Sequence, residues 1–228
     1  MKKIVVAIIL LSSFLSREIK AQGFDKQSFR QGENLAAFFY YRCPAFTKAK
    51  VKLKTGEELV SPVNFNLLLC QLQFINPQGD TLDIATPDEI DSVQLCSGTF
   101  FYDKGYYEIF AATASVRLAV LRKITFQPVK IGAMGMRNQN GVGVQSYTTL
   151  TAQGVERQLT INEDIDIYKE TTYFLIDHSG EKIKASKAAF MKLFPGKADA
   201  ITQYLKENKV SFTKESDLKK LFDFCVVQ

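Results

Sequence analysis

Tryptophan is absent from this chain, and histidine occurs once, at residue 178. One histidine excludes a metal site built from several imidazoles and leaves any Ser–His or Cys–His catalytic group a single residue to use. Without tryptophan, a stacking platform for sugars has to rely on tyrosine. The four cysteines contain no C-x-x-C, which removes the usual zinc and dithiol redox arrangements. No apolar run approaches the roughly 20 residues that a spanning helix needs. Gly141-Val142-Gly143 has no strand before it and no helix after it, so a phosphate-loop reading fails.

What is present begins at the start of the chain. Lys2 and Lys3 lead into the apolar residues 4–15, broken by Ser12 and Ser13, and the small residue Ala21 follows a few polar positions later. That is the pattern of a secretory signal peptide over residues 1–21, with cleavage expected between Ala21 and Gln22. The first cysteine, Cys43, is too far along to accept a lipid at the new terminus. The product is therefore expected in an oxidising compartment, as a secreted, periplasmic or cell-surface protein with no transmembrane segment.

Charge has to be recounted after that cut. Lys2, Lys3, Arg17 and Lys20 against Glu18 carry +3 of the formal +5, which leaves the remaining chain near +2. Nucleic-acid binding needs a clustered basic surface and gains no support. The one local excess, ten lysines against six acids over residues 181–228, reads as solvated helix faces. Removing 21 of 228 residues leaves 207, enough for one sizeable domain, and 46% hydrophobic content excludes global disorder.

The expected fold class is α+β. A β-rich body (22–127) forms a curled sheet, sandwich or small open barrel; a flexible Gly/Gln/Ser/Thr connector (128–163) follows; and a hairpin with a three-helix tail (164–228) ends the chain. In the body, residues 50–54 and 57–63 flank Thr55-Gly56, and residues 65–75 read as one central strand apolar on both faces. Asn76-Pro77-Gln78-Gly79 is a strong turn. Residues 99–102 and 106–110 flank Asp103-Lys104-Gly105, with the glycine expected in the left-handed position. In residues 115–126, Val116, Leu118 and Val120 project to one side, together with Arg122. Seven or eight antiparallel strands are expected in this body.

In the tail, residues 171–176 and 181–184 form a hairpin around Asp177-His178-Ser179-Gly180. Ser186 caps a helix bearing Phe190, Leu193 and Phe194 that stops at Pro195-Gly196; Ala198, Ile201 and Leu205 line the next. Leu218, Leu221, Phe222, Cys225 and Val226 line the last, with Thr213 as N-cap and Glu215 and Asp217 in the first turn. The order of this strand and turn, followed by Lys192-Leu193-Phe194-Pro195, residues 204–208 and residues 218–225, resembles the end of exported bacterial proteins of unassigned activity. The connector and residues 88–95 and 99–102 are similar to the same group. The resemblance rests on packing and turn motifs and supplies no catalytic residue; no cofactor or metal is expected.

Cys43, Cys70, Cys96 and Cys225 allow three complete disulfide pairings, while Cys70 and Cys225 also fit as buried thiols on apolar faces. His178 falls in an expected surface turn. Ser-x-x-Lys recurs at Ser179–Lys182, Ser211–Lys214 and Ser216–Lys219, and Glu163, Asp164 and Asp166 form an acidic group beside the connector. The aromatics Phe100, Phe101, Tyr102, Tyr106 and Tyr107 read as core packing before they read as a sugar-binding face. The function expected from this set is a noncatalytic binding or structural module of the bacterial periplasm or cell surface, with an envelope protein or cell-surface polymer as partner and no nucleic acid. The rival is a hydrolase using Cys96 or a serine with His178 or a lysine. Intact mass of the exported protein should correspond to a chain beginning at Gln22; a mass retaining residues 1–21, or a lipid adduct, would show the leader assignment to be wrong.

Overall fold

The computed structural model describes residues 24–34, 40–131, 137–138 and 164–227. The expected leader and its cleavage point, and all of the expected connector beyond 128–131 and 137–138, lie outside them. The strands are β1 (Phe24–Phe29), β2 (Thr47–Leu53), β3 (Glu58–Asn66), β4 (Gln71–Ile75), β5 (Thr81–Asp83), β6 (Ile90–Gln94), β7 (Thr99–Tyr102), β8 (Tyr106–Ala112), β9 (Val116–Pro128), β10 (Lys130–Ile131), β11 (Arg137–Asn138), β12 (Ile165–Asp177) and β13 (Lys182–Lys184). The helices are α1 (Lys187–Leu193), α2 (Ala198–Glu207) and α3 (Glu215–Val227). Eleven strands form one antiparallel sheet in the order β1-β12-β9-β8-β7-β6-β2-β3-β4-β5, with β13 continuing along β12 beyond β1; β10 and β11 pair separately. The fold is α+β with an open, curled sheet, and none of the described helices is long and apolar enough to cross a membrane.

The backbone of the sheet is β9 against β12, thirteen residues each, paired without interruption from Ile165↔Pro128 to Asp177↔Val116. Alternation places Val116, Leu118, Val120, Arg122, Ile124 and Phe126 on one face, with Ile165, Ile167, Tyr173 and Leu175 of β12 beside them. That face has two coverings. Over Val116, Leu118, Val120, Tyr173 and Leu175 lie the three helices, through Phe190, Ile201, Leu218, Leu221 and Phe222. Over Phe126 and Ile167 lie Leu68 and Leu69, from the turn that joins β3 to β4, together with Phe29 of β1. Strands at opposite ends of the sheet order thus meet, which requires the sheet to curl. The interior of the curl is a third apolar cluster that includes Val51, Val63, Phe65, Leu72, Val93, Phe100 and Tyr106.

Several expectations change. Residues 65–75 are two strands: Asn66 Oδ1 accepts from the amides of Leu68 and Leu69 (2.9 and 3.0 Å), and Cys70 takes a left-handed φ of 54°. A buried asparagine closing a turn outweighs the continuous apolar run. In the β7–β8 turn Gly105 takes a positive φ (149°) as expected, and Lys104 before it does so as well (φ 52°). Residues 164–184, expected in the tail, supply β12 and β13 to the body's own sheet, because β12 starts six residues before the expected hairpin strand and runs the whole length of β9. Gly98, unremarked in the sequence, is required by close approach: a Cβ there would lie 2.1 Å from the Ile109 carbonyl oxygen.

The tail helices lie where expected, except that Lys214, whose carbonyl accepts from the Leu218 amide (3.1 Å), stands at the start of α3 in place of Thr213, whose hydroxyl bonds to Ser211. Ser186 accepts from the Ala189 amide (3.2 Å) at the start of α1, and Phe194 ends it before Pro195. Lys197 donates to the Cys225 carbonyl (2.5 Å), placing a cation at the C-terminal end of α3, where unpaired carbonyls favour it. Val226 is exposed rather than part of the packed face, which consists of Leu218, Leu221, Phe222 and Cys225. Phe222, 2% exposed, meets the Phe194 ring edge-on at 5.8 Å. Phe222→Ala should cost about 3–5 kcal/mol, and Phe222→Asp more, since the carboxylate would be buried without a partner. Hydrogen exchange on Phe222→Asp should show lost protection over residues 187–227; unchanged protection there would mean that α3 is not docked through this face.

Candidate functional site

Alternation along β8 puts Glu108 on the same face as Tyr106 and Phe110, and its register partners are Phe100 on β7 and Val120 on β9. A carboxylate so placed needs cations, because burying an unpaired charge costs several kcal/mol. Two guanidiniums supply them. Arg42 Nε donates to Glu108 Oε1 (2.8 Å) and Arg122 Nη1 to Glu108 Oε2 (2.5 Å). The other arms of both reach Glu215 at the start of α3: Arg42 Nη2 to Oε1 (2.8 Å) and Arg122 Nη2 to Oε2 (3.1 Å). The four side chains close a ring of zero net charge, with Glu108 0% exposed. Burial pushes the Glu108 carboxyl up, but Arg122 and Arg42 outweigh it and hold the group below its ordinary 4.5. Burial works against the charge on Arg42 too, and its two carboxylate partners outweigh that.

Arg42 sits on a segment outside regular strands, yet it is rigidly placed. Its amide donates to the Phe65 carbonyl (2.9 Å). The next residue, Cys43, is disulfide-bonded to Cys96. The Asn64 side chain grips the same segment, accepting from the Cys43 amide and donating to the carbonyls of Cys43 and Ala45 (3.0–3.1 Å). Sequence reasoning placed Arg122 on the correct face but missed Glu108 and Arg42. The available signal was one acid inside Tyr106-Tyr107-Glu108-Ile109-Phe110, at a position where alternation demands the core.

The candidate residues taken from the sequence are dispersed. Cys96 is in the disulfide, so a Cys96–His178 pair has no thiol. Cys70 and Cys225 are free, and burial pushes each thiol up to about 11. His178 is exposed in the β12–β13 turn. Ser179 donates to Asp177 (2.6 Å) while Lys182 pairs with Asp103 (2.6 Å), Ser211 shares a hydrogen bond with Thr213, and Ser216 donates to Asp217. In none of the three Ser-x-x-Lys pairs does the serine hydroxyl bond to the lysine ammonium. Glu163 lies outside the described residues; Asp166 accepts from Ser28 (2.6 Å) and pairs with Lys26 (2.7 Å), and Asp164 accepts from the Gln31 amide (2.8 Å), so both fasten β1 and its following turn. Among the described residues no three His, Cys, Asp or Glu side chains gather as metal ligands.

The opposite face of the sheet carries a groove of about 420 Å³ across β6, β7, β8, β9, β12 and β13. Its floor and walls include Phe101, Ile109 and Ile176, with Ser92 and Thr99 at one side and Arg117 and Lys182 at the other. Phe101 stacks on Tyr107 (centroids 5.1 Å apart, planes 11° apart), and Tyr107 meets Phe174 edge-on at 5.6 Å. Lys182 is held over the Tyr107 ring (5.5 Å) by its bond to Asp103. Among the described residues no hydrogen bond or ion pair holds the Arg117 guanidinium. Phe100 and Tyr106 belong to the interior of the curl, so the aromatic run divides between core and groove. No family model, curated protein or solved structure matches the chain.

The ring generates a pH dependence. A carboxyl with a depressed folded-state pKa contributes stability that is present above its unfolded value and lost as pH falls through the folded value. Glu108→Gln should therefore lose about 3–5 kcal/mol at pH 7, and its difference from the wild type should shrink below pH 4.5. Urea titrations at pH 7 and pH 3 would measure this; a difference independent of pH would show that the charge of Glu108 is not what stabilises the ring.

Proposed function

We propose that this chain is an exported, noncatalytic binding or structural module of the bacterial periplasm or cell surface. The observation that carries the reading is the contrast between the two faces. The buried Glu108 is closed into a neutral ring with Arg42, Arg122 and Glu215, while the open face presents a concave, partly aromatic surface with an unpaired cation. A group already engaged in structural ion pairs is poorly placed to move protons, whereas apolar surface with a few polar groups is what ligand recognition uses. The Cys43–Cys96 bond supports an oxidising compartment, since structural disulfides are rare in the cytosol.

The test is fractionation of cells producing the whole chain, followed by nonreducing peptide mapping. The expected result is recovery outside the cytoplasm with Cys43 and Cys96 linked, and Cys43→Ser should lose about 2–4 kcal/mol of stability in keeping with a closed loop of this length. Cytoplasmic retention with both thiols open to alkylation would overturn the exported reading. Turnover of ester or amide substrates, abolished by replacing a serine or His178, would overturn the noncatalytic one.

A further inference from the structure

The geometry points to an acidic carbohydrate, a glycan bearing uronic acid residues, as the ligand of the open-face groove, a reading that rests on the binding-module proposal and gives it a ligand class. The argument starts from charge. Lys182 is neutralised by Asp103, and Asp91, at the far side beside Ser92, faces Lys52 at 3.6 Å. That leaves Arg117 as the one unpaired charge among the described groove residues. A single guanidinium matches a singly charged carboxylate, which it can hold with two parallel hydrogen bonds, better than it matches a doubly charged phosphate.

The rest of the groove suits a sugar. Ser92 and Thr99 offer hydroxyls, and Asp91 offers acceptors for sugar hydroxyls. Phe101 supplies an apolar surface backed by Tyr107. The volume, about 420 Å³, falls within the range of small-ligand sites. Lys48 and Lys50 alternate onto the same face as Lys52, which lies opposite Ser92, and both are exposed without an ion-pair partner among the described residues. They extend the positive surface past the groove, which favours a polymer with repeated carboxylates over a single acid.

An acidic peptide is the competing occupant of this charge, and the sheet disfavours it. Extended peptides gain affinity by adding a strand to a free sheet edge. Here the floor strands β6, β7, β8, β9 and β12 are each hydrogen-bonded to a neighbour on both sides, and β13, the edge strand at the rim, is only three residues long. A peptide could add few main-chain hydrogen bonds there and would rely on its side chains.

The experiment is calorimetric titration of the full exported chain with galacturonic acid oligomers, their methyl esters and poly-L-glutamate. The acid oligomers should bind; esterification should abolish binding; and poly-L-glutamate should bind at least tenfold more weakly. Arg117→Gln should weaken binding of the acid oligomers at least tenfold, with partial recovery in Arg117→Lys. Thr99→Ala serves as a second variant should Arg117→Gln fold poorly, and it should weaken binding several-fold. Equal binding of poly-L-glutamate would replace the glycan with an acidic protein partner, and no binding, or binding indifferent to Arg117 and Thr99, would overturn the site. Failed binding by a chain that is still recovered outside the cytoplasm leaves the exported module standing, whereas release of shortened oligomers would overturn the noncatalytic reading while keeping the ligand class.

Discussion

Glu108 is a carboxylate surrounded by phenylalanine, valine and tyrosine, and the molecule is arranged around the need to neutralise it. On β8 it lies between Tyr106, which belongs to the interior of the curl, and Phe110, which packs under the helices. On β9, Arg122 lies between Val120, under the helices, and Phe126, under the β3–β4 turn. The ring therefore occupies the point where three apolar clusters meet. An apolar residue at any of its four positions would bring the clusters together with less specificity, because apolar contacts tolerate sliding and fork-to-fork ion pairs do not. A neutral ring with good geometry offsets much of its own desolvation; the same ring missing one member leaves a buried charge.

The ring also explains why distant segments are so firmly held. Arg42 contributes two of the four bonds, and three separate devices fix its segment: the Phe65 carbonyl, the Asn64 side chain and the disulfide to Cys96. Glu215 brings α3 to the same point, in register with the apolar face that carries Phe222. Docking of the helices is thereby directional. Their apolar stripe supplies the attraction, and the carboxylate at the helix start selects the orientation.

Sequence alternation revealed most elements, because strands and short helices with one apolar face leave regular traces. Val116, Leu118 and Val120 were legible on one face, as were Ser186 as a cap and the packed side of α3. What escaped had physical reasons. Residues 65–75 are apolar throughout, so nothing in hydropathy marks the break that Asn66 makes by bonding forward to two amides. Residues 165–170 mix charges with isoleucine, which hid the first half of β12, since one of its faces carries the Asp166 side chain that pairs with Lys26. Arg42 went unremarked because its bonds reach across 66 and 173 residues, and Glu108 because a single acid in a strand carries no local mark of its two arginine partners. The choice among three cysteine pairings likewise depends on contacts that no local pattern records.

β1 has its own significance for how such a chain reaches this state. It precedes every other described strand, yet its only partner in the sheet is β12, with Ser28 bonded to Asp166 across 138 residues. The first of the described strands to leave the ribosome therefore has no sheet partner until almost three quarters of the chain has been made. β9 pairs at once with β8, but its other edge waits for β12, and the charge ring waits for Glu215. Completion of the sheet thus depends on strands far along the chain, with high sequence separation slowing the final steps. A segment left without its partner for so long is committed to the fold only when that partner arrives.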